Sequence, residues 1–79
     1  MKTTRFIELV DSGLDIEIHY KGKTYWVAWG REREKMFYEA HKKDEIVFFE
    51  AKELLEKEYH GFKIRDMIES LDEDADLEF

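Results

Sequence analysis

The 79-residue chain contains no cysteine. Disulfide frameworks, thiolate zinc sites and cysteine nucleophiles are therefore excluded together, and a reducing compartment fits the composition. Proline is also absent and glycine is held to four residues, so no Pro- or Gly-rich linker divides the chain, and no internal repeat is seen. No apolar run approaches the roughly 20 residues needed to span a bilayer. The opening Met1-Lys-Thr-Thr-Arg-Phe6 lacks the apolar stretch of a secretory signal. These absences predict a soluble, cytoplasmic protein of one domain. The last scarcity is of positive charge: from Asp66 onward there is no Lys or Arg at all.

The net charge of −7 is consequently local. Residues 1–65 balance their charges. The excess comes from Asp66, Glu69, Asp72, Glu73, Asp74, Asp76 and Glu78. A local anionic strip can dock on a basic surface, including one that otherwise holds nucleic acid. Direct binding of nucleic acid or of an anionic membrane by this chain is not expected.

Against the high charge stand two Trp, four Tyr and six Phe. That supply of large apolar side chains predicts a folded core rather than a disordered chain. A small domain buries a modest fraction of its surface, so the stability margin is small.

Hydrophobic spacing gives the elements. Thr3 or Thr4 can cap a helix whose apolar face is Phe6, Ile7, Leu9 and Val10, with Gly13 as its stop. Leu14 to Tyr20 alternates apolar and polar, the period of a half-buried strand. Lys21-Gly22 is a hairpin turn before a second strand, Thr24–Trp29. A two-residue loop sets Ile18 opposite Tyr25, Ile16 opposite Val27 and Leu14 opposite Trp29 on the core side. Trp26 then falls on the other face beside Glu17, with Asp15 and His19 near. There it is either covered by a helix or chain end, or it is a binding hot spot.

Residues 36–40 and 45–49 read as a second hairpin. A four-residue loop would put Phe37 opposite Phe48 and Tyr38 opposite Val47. The Glu, Arg, Lys and Met content also fits one helix over 31–43. The aromatic and β-branched crowding at 46–49 favours strands. Further on, Ala51, Leu54, Leu55 and Tyr59 form a helical stripe ended by Gly61, and Ile64, Met67, Ile68 and Leu71 form a last amphipathic helix. The fold class is α+β. It comprises a short N-terminal helix, an antiparallel meander of three to four strands, and two C-terminal helices packed on one face over residues 1–71, followed by an acidic tail, 72–79.

No reaction chemistry is legible. Asp72, Asp74 and Asp76 open like a calcium loop, but Leu77 stands where its glycine belongs. His19, His41 and His60 are too far apart for a ligand motif. Ser12 and Ser70 have no nucleophile-elbow context. A non-enzymatic protein without cofactor or metal is expected. Three readings of the tail stay open. It is a solvated extension, or a contact strip in which Leu77 and Phe79 add apolar anchors to Asp72, Glu73, Asp74, Asp76 and Glu78, or an internal clasp. The clasp would reach Lys21, Lys23, Lys42, Lys43 and His41, which a meander gathers at one sheet end. Acids after a helix C-terminus oppose its dipole, so helix stability is not their expected purpose.

Three stretches, Thr4–Gly13, Asp15–Tyr25, and Ala51–Leu55 followed by Gly61–Ile68, together resemble small uncharacterised proteins of Firmicutes and of their phages and integrated elements. The resemblance implies an α-ββ-(ββ)-αα order and carries no active residues. Similar size and acidity occur among phage-encoded inhibitors that mimic DNA, but such mimics spread their acids over a face, and residues 1–65 are balanced. The expected function is a small interaction protein that binds a basic, nucleic-acid-handling protein through Asp72, Glu73, Asp74, Asp76, Leu77, Glu78, Phe79 and Trp26. A homodimer through a sheet edge or Trp26, and a small-molecule binder, are the alternatives.

Overall fold

A computed structural model describes residues 1–79. Helix α1 (Thr3–Asp11) leads into β1 (Ile16–Tyr20), β2 (Lys23–Trp29), β3 (Lys35–Glu39) and β4 (Ile46–Phe48). Then come α2 (Ala51–Leu55), β5 (Glu58–Tyr59), β6 (Phe62–Lys63), α3 (Ile64–Ser70), α4 (Glu73–Asp76) and β7 (Leu77–Glu78). The main sheet is antiparallel in the order β4-β3-β2-β1-β7, and β5 and β6 form a separate hairpin. The expected α+β class is found. The meander has its four strands, and residues 31–43 form no helix.

The first hairpin keeps its expected register, with Ile16 opposite Val27 and Ile18 opposite Tyr25. Lys21 and Gly22 both take positive φ, 49° and 77°, which is the primed two-residue turn whose twist matches the strands it joins. Leu14 departs from expectation. The strand begins only at Ile16, and Leu14 is exposed rather than opposite Trp29 in the core. The side chain of Asp15 accepts from the Trp29 N–H at 3.1 Å, so a carboxylate takes the place of the next rung.

The second hairpin is shifted by two residues from the expected register. Lys35 lies opposite Phe48, Met36 opposite Val47 and Phe37 opposite Ile46. An even shift leaves every side chain on its expected face, so the hydrophobic pattern could not exclude it. What selects the longer loop is Tyr59. Its hydroxyl accepts from the Glu39 N–H at 2.9 Å and donates to the Asp44 carbonyl at 3.0 Å. Glu39 and Asp44 are the residues where the next rung would fall, and the phenol bridges them.

Tyr59 is itself a correction. The helix expected to run to Gly61 stops at Leu55, and a second primed turn at His60-Gly61 (φ 48° and 87°) folds 58–63 into a hairpin. Tyr59 remains in the core, edge-on to Phe37 at 5.2 Å and to Tyr25 at 6.1 Å between ring centroids. Neither Thr3 nor Thr4 caps α1; Lys2 is the residue before its first turn and makes no side-chain cap bond.

One core unites the inner sheet face with the helices. Ile16, Ile18, Tyr25, Val27, Phe37 and Phe48 pack with Phe6, Leu9 and Val10 of α1, Leu54 and Leu55 of α2, and Ile64, Met67 and Ile68 of α3. The segment 72–79 is part of this body. Asp72 caps α4 by accepting from the N–H groups of Asp74 (2.9 Å) and Ala75 (3.2 Å). Its acids thus begin a helical turn, where negative charge is favourable. At the end of α3, the Met1 amino group donates to the carbonyls of Ile68 and Glu69, each at 3.3 Å, and to that of Leu71. Leu77 then pairs with Ile18 of β1 and is buried.

Candidate functional site

Alternation assigns the outer sheet face. Because Ile16 and Ile18 point inward, Glu17 and His19 point outward. Because Tyr25 and Val27 point inward, Thr24, Trp26 and Ala28 point outward, joined by Met36 and Tyr38 of β3 and Val47 of β4. The pairings align Glu78, Glu17, Trp26 and Tyr38 in one row across four strands. A second row holds Ala28, Met36 and Val47. The face is therefore acidic at the β1/β7 edge and aromatic to apolar toward β4. None of its residues belongs to the core that the helices close. Trp26, Tyr38 and Met36 are half-buried by their neighbours and Val47 is exposed. The helices close the core against the inward side chains of the sheet, and β7 extends the sheet edge-on beside β1.

The acidic corner is arranged by His19. Its Nε2 lies 2.7 Å from Glu17 Oε2 and 3.9 Å from Glu78 Oε2. Two like charges directly opposite on paired strands are unfavourable, and the His19 ring lies beside both Glu17 and Glu78. The three side chains bring one ligand atom each within 4.8 Å of one another, so they could hold a cation with nitrogen and oxygen donors. Sequence spacing gave no hint of this group, since Glu78 reaches β1 only through the fold.

The expected contact residues separate into three kinds. Asp74 and Phe79 are free and exposed, and Glu78 is exposed with His19 Nε2 3.9 Å away. Asp72, Glu73 and Asp76 are engaged within the chain. Glu73 accepts from Arg5 Nε at 3.0 Å, and that guanidinium holds its carboxyl below the ordinary carboxylate range. Asp76 accepts from the Asp72 N–H at 2.8 Å. Leu77 lies in the core and cannot serve as a partner anchor. Phe79 lies beyond the last strand and is exposed.

The internal clasp exists, but on Arg5 and β1. The topology does set the Lys21 and Lys42 turns at one end of the sheet. Yet β7 runs away from that end, and no acid of 72–79 pairs with Lys21, Lys23, Lys42 or Lys43. His60 occupies that end instead. Its Nδ1 faces Glu39 Oε1 at 3.3 Å and its Nε2 meets Asp44 Oδ2, with the ring stacked on Tyr59. The hydrogen bond with His60 holds the Asp44 carboxyl below its ordinary value. With both ring nitrogens engaged by carboxylates, the group ties the 40–45 loop down and leaves no free nitrogen to move a substrate proton.

No family model, curated protein or solved structure matches the chain.

Proposed function

We propose that the chain is a non-enzymatic interaction module that receives a basic protein surface on its outer sheet face and acidic edge. One observation carries the reading: Glu78, Glu17, Trp26 and Tyr38 form a continuous row on the face that the helices leave open. Trp and Tyr are the side chains that most often dominate binding energy when desolvated, and the acidic end supplies steering and register. Asp74 on α4 adds free negative charge at the same edge. A partner surface that normally holds nucleic acid matches this charge, and occupying it would block nucleic-acid access.

Because 72–79 is integral to the fold, the test uses surface substitutions. Trp26→Ala and the pair Asp74→Lys/Glu78→Lys are compared with the parent chain in capture from host lysate at low and high salt. The expected result is a partner lost with either variant, released by salt and displaced by duplex DNA. A partner retained equally by all three proteins refutes the reading.

A second reading is supported at the opposite edge. Strand β4 has no neighbour beyond it, and Val47 and Phe49 are 53 % and 57 % exposed. Such an edge can pair with a second copy. Sedimentation that shows a dimer, converted to monomer by Val47→Lys, would assign the edge to self-association.

A further inference from the structure

The sheet end away from the Lys21 turn holds a buried cation without a counter-ion. Lys35 opens β3 on its inner side and is 5 % exposed. Its Nζ donates to the carbonyl oxygens of Phe49 and, at 3.4 Å, of Arg33, and it sits 4.3 Å from the centroid of the Trp29 ring. No carboxylate lies within ion-pair distance of it. Burying an ammonium against neutral partners alone is costly, and one of its three N–H donors has no protein acceptor.

Two further features converge there. The Trp29 indole Nε1 is buried and has no acceptor; such groups are rare enough in proteins to require a reason. Arg33 holds a left-handed φ of 69°, an uncommon conformation for a side-chain-bearing residue. Lys35, Trp29 and Arg33 line a groove of about 560 Å³ together with Phe49, Asp11 and Glu50. The volume lies in the range of small-molecule sites, about 300–1,000 Å³.

We propose that this groove binds a small aromatic monocarboxylate. The carboxylate accepts from Lys35 Nζ and the Arg33 guanidinium, and the ring lies against Trp29 and Phe49. Asp11 and Glu50 on the walls repel a second negative charge, which selects a monoanion over a phosphate dianion. The site is independent of the outer-face reading, because Trp26 belongs to that face and Trp29 to this groove.

The chain has two tryptophans, so a ¹⁵N-labelled sample gives two indole N–H signals, one for each surface. Titration with 3-phenylpropionate is expected to move the Trp29 signal and leave that of Trp26 in place. Phenyl phosphate and phenethylamine are expected to bind at least about tenfold more weakly, the scale of one charge-assisted hydrogen bond. Arg33→Gly suits the positive φ, preserves the fold and removes the guanidinium; Phe49→Ala removes an exposed ring. Each is expected to weaken the acid by about tenfold. A Trp29 signal unmoved by 3-phenylpropionate overturns the proposal, as does equal movement of both indoles or equal affinity in Arg33→Gly and the parent chain.

Discussion

Replacing Leu77 by Ala tests whether the C-terminal segment is part of the domain. The side chain is 6 % exposed and faces the core beside Ile18. Leu-to-Ala changes at buried sites cost about 2–5 kcal/mol, with the smaller values where surroundings can collapse. An edge strand of two residues can collapse readily, so the expected loss is about 2 kcal/mol. For a domain of this size that lowers the melting temperature by about 8–16 °C. The loss has a ceiling. Once it exceeds the free energy that docks 72–79, the segment detaches and further damage at Leu77 adds nothing. Leu77→Asp should therefore melt close to Leu77→Ala. The assay is thermal unfolding by circular dichroism together with amide exchange, in which Glu17, paired with Glu78, should lose protection while Ile18, paired with Tyr25 of β2, should keep it. Phe79→Ala is the control, because that side chain is 62 % exposed and its removal should stay within about 0.5 kcal/mol. A Leu77→Ala chain that melts with the parent and keeps its Glu17 protection would refute the docked strand.

Tyr59→Phe keeps the ring contacts but strands the Glu39 N–H, so it should cost about 1–3 kcal/mol, with faster amide exchange at Glu39; Tyr38→Phe on the outer face should change neither. Asp44 and Glu73 are both held below the ordinary carboxylate range by His60 and Arg5. Their stabilisation is complete above the unfolded carboxylate values, near pH 4, and is lost as pH falls through the lower folded values. Melting curves recorded from pH 5 downward should therefore steepen in loss, and Asp44→Asn with Glu73→Gln should flatten that acid limb. Gly22→Ala should cost about 1 kcal/mol from left-handed backbone alone, since an added Cβ there meets nothing within 4 Å; chemical denaturation would measure it.

What the sequence made legible followed from local periodicity. The Ile16/Ile18 alternation and the Lys21-Gly22 turn determined a register without any long-range information. The 64/67/68/71 spacing determined the last core-facing helix in the same way. The β3–β4 register was not recoverable, because a two-residue slip leaves the faces unchanged and the arbiter, the Tyr59 hydroxyl, arrives from another hairpin. That hairpin did leave a signal: a residue before Gly61 with aromatics on either side is the same turn chemistry as at Gly22. The candidate site was half visible. Trp26 was placed opposite Glu17 correctly, but the acidic segment read as a tail because a strand of two residues carries no period of its own. Only the folded chain shows Leu77 seated on Ile18, with Glu78 extending the Trp26 row.

The pairing of β7 with β1 joins residues about 60 positions apart, and this has a consequence during synthesis on the ribosome. The N-terminal helix and first hairpin are made early, but β1 keeps an open edge until residues 77 and 78 have emerged. Closing so long a loop is slow compared with local hairpin formation. Throughout that interval the nascent chain presents an unpaired strand, the kind of surface that recruits other chains. Residues 77 and 78 are thus the ones that end this exposure, and a ribosome stalled within the acidic codons would leave the edge open.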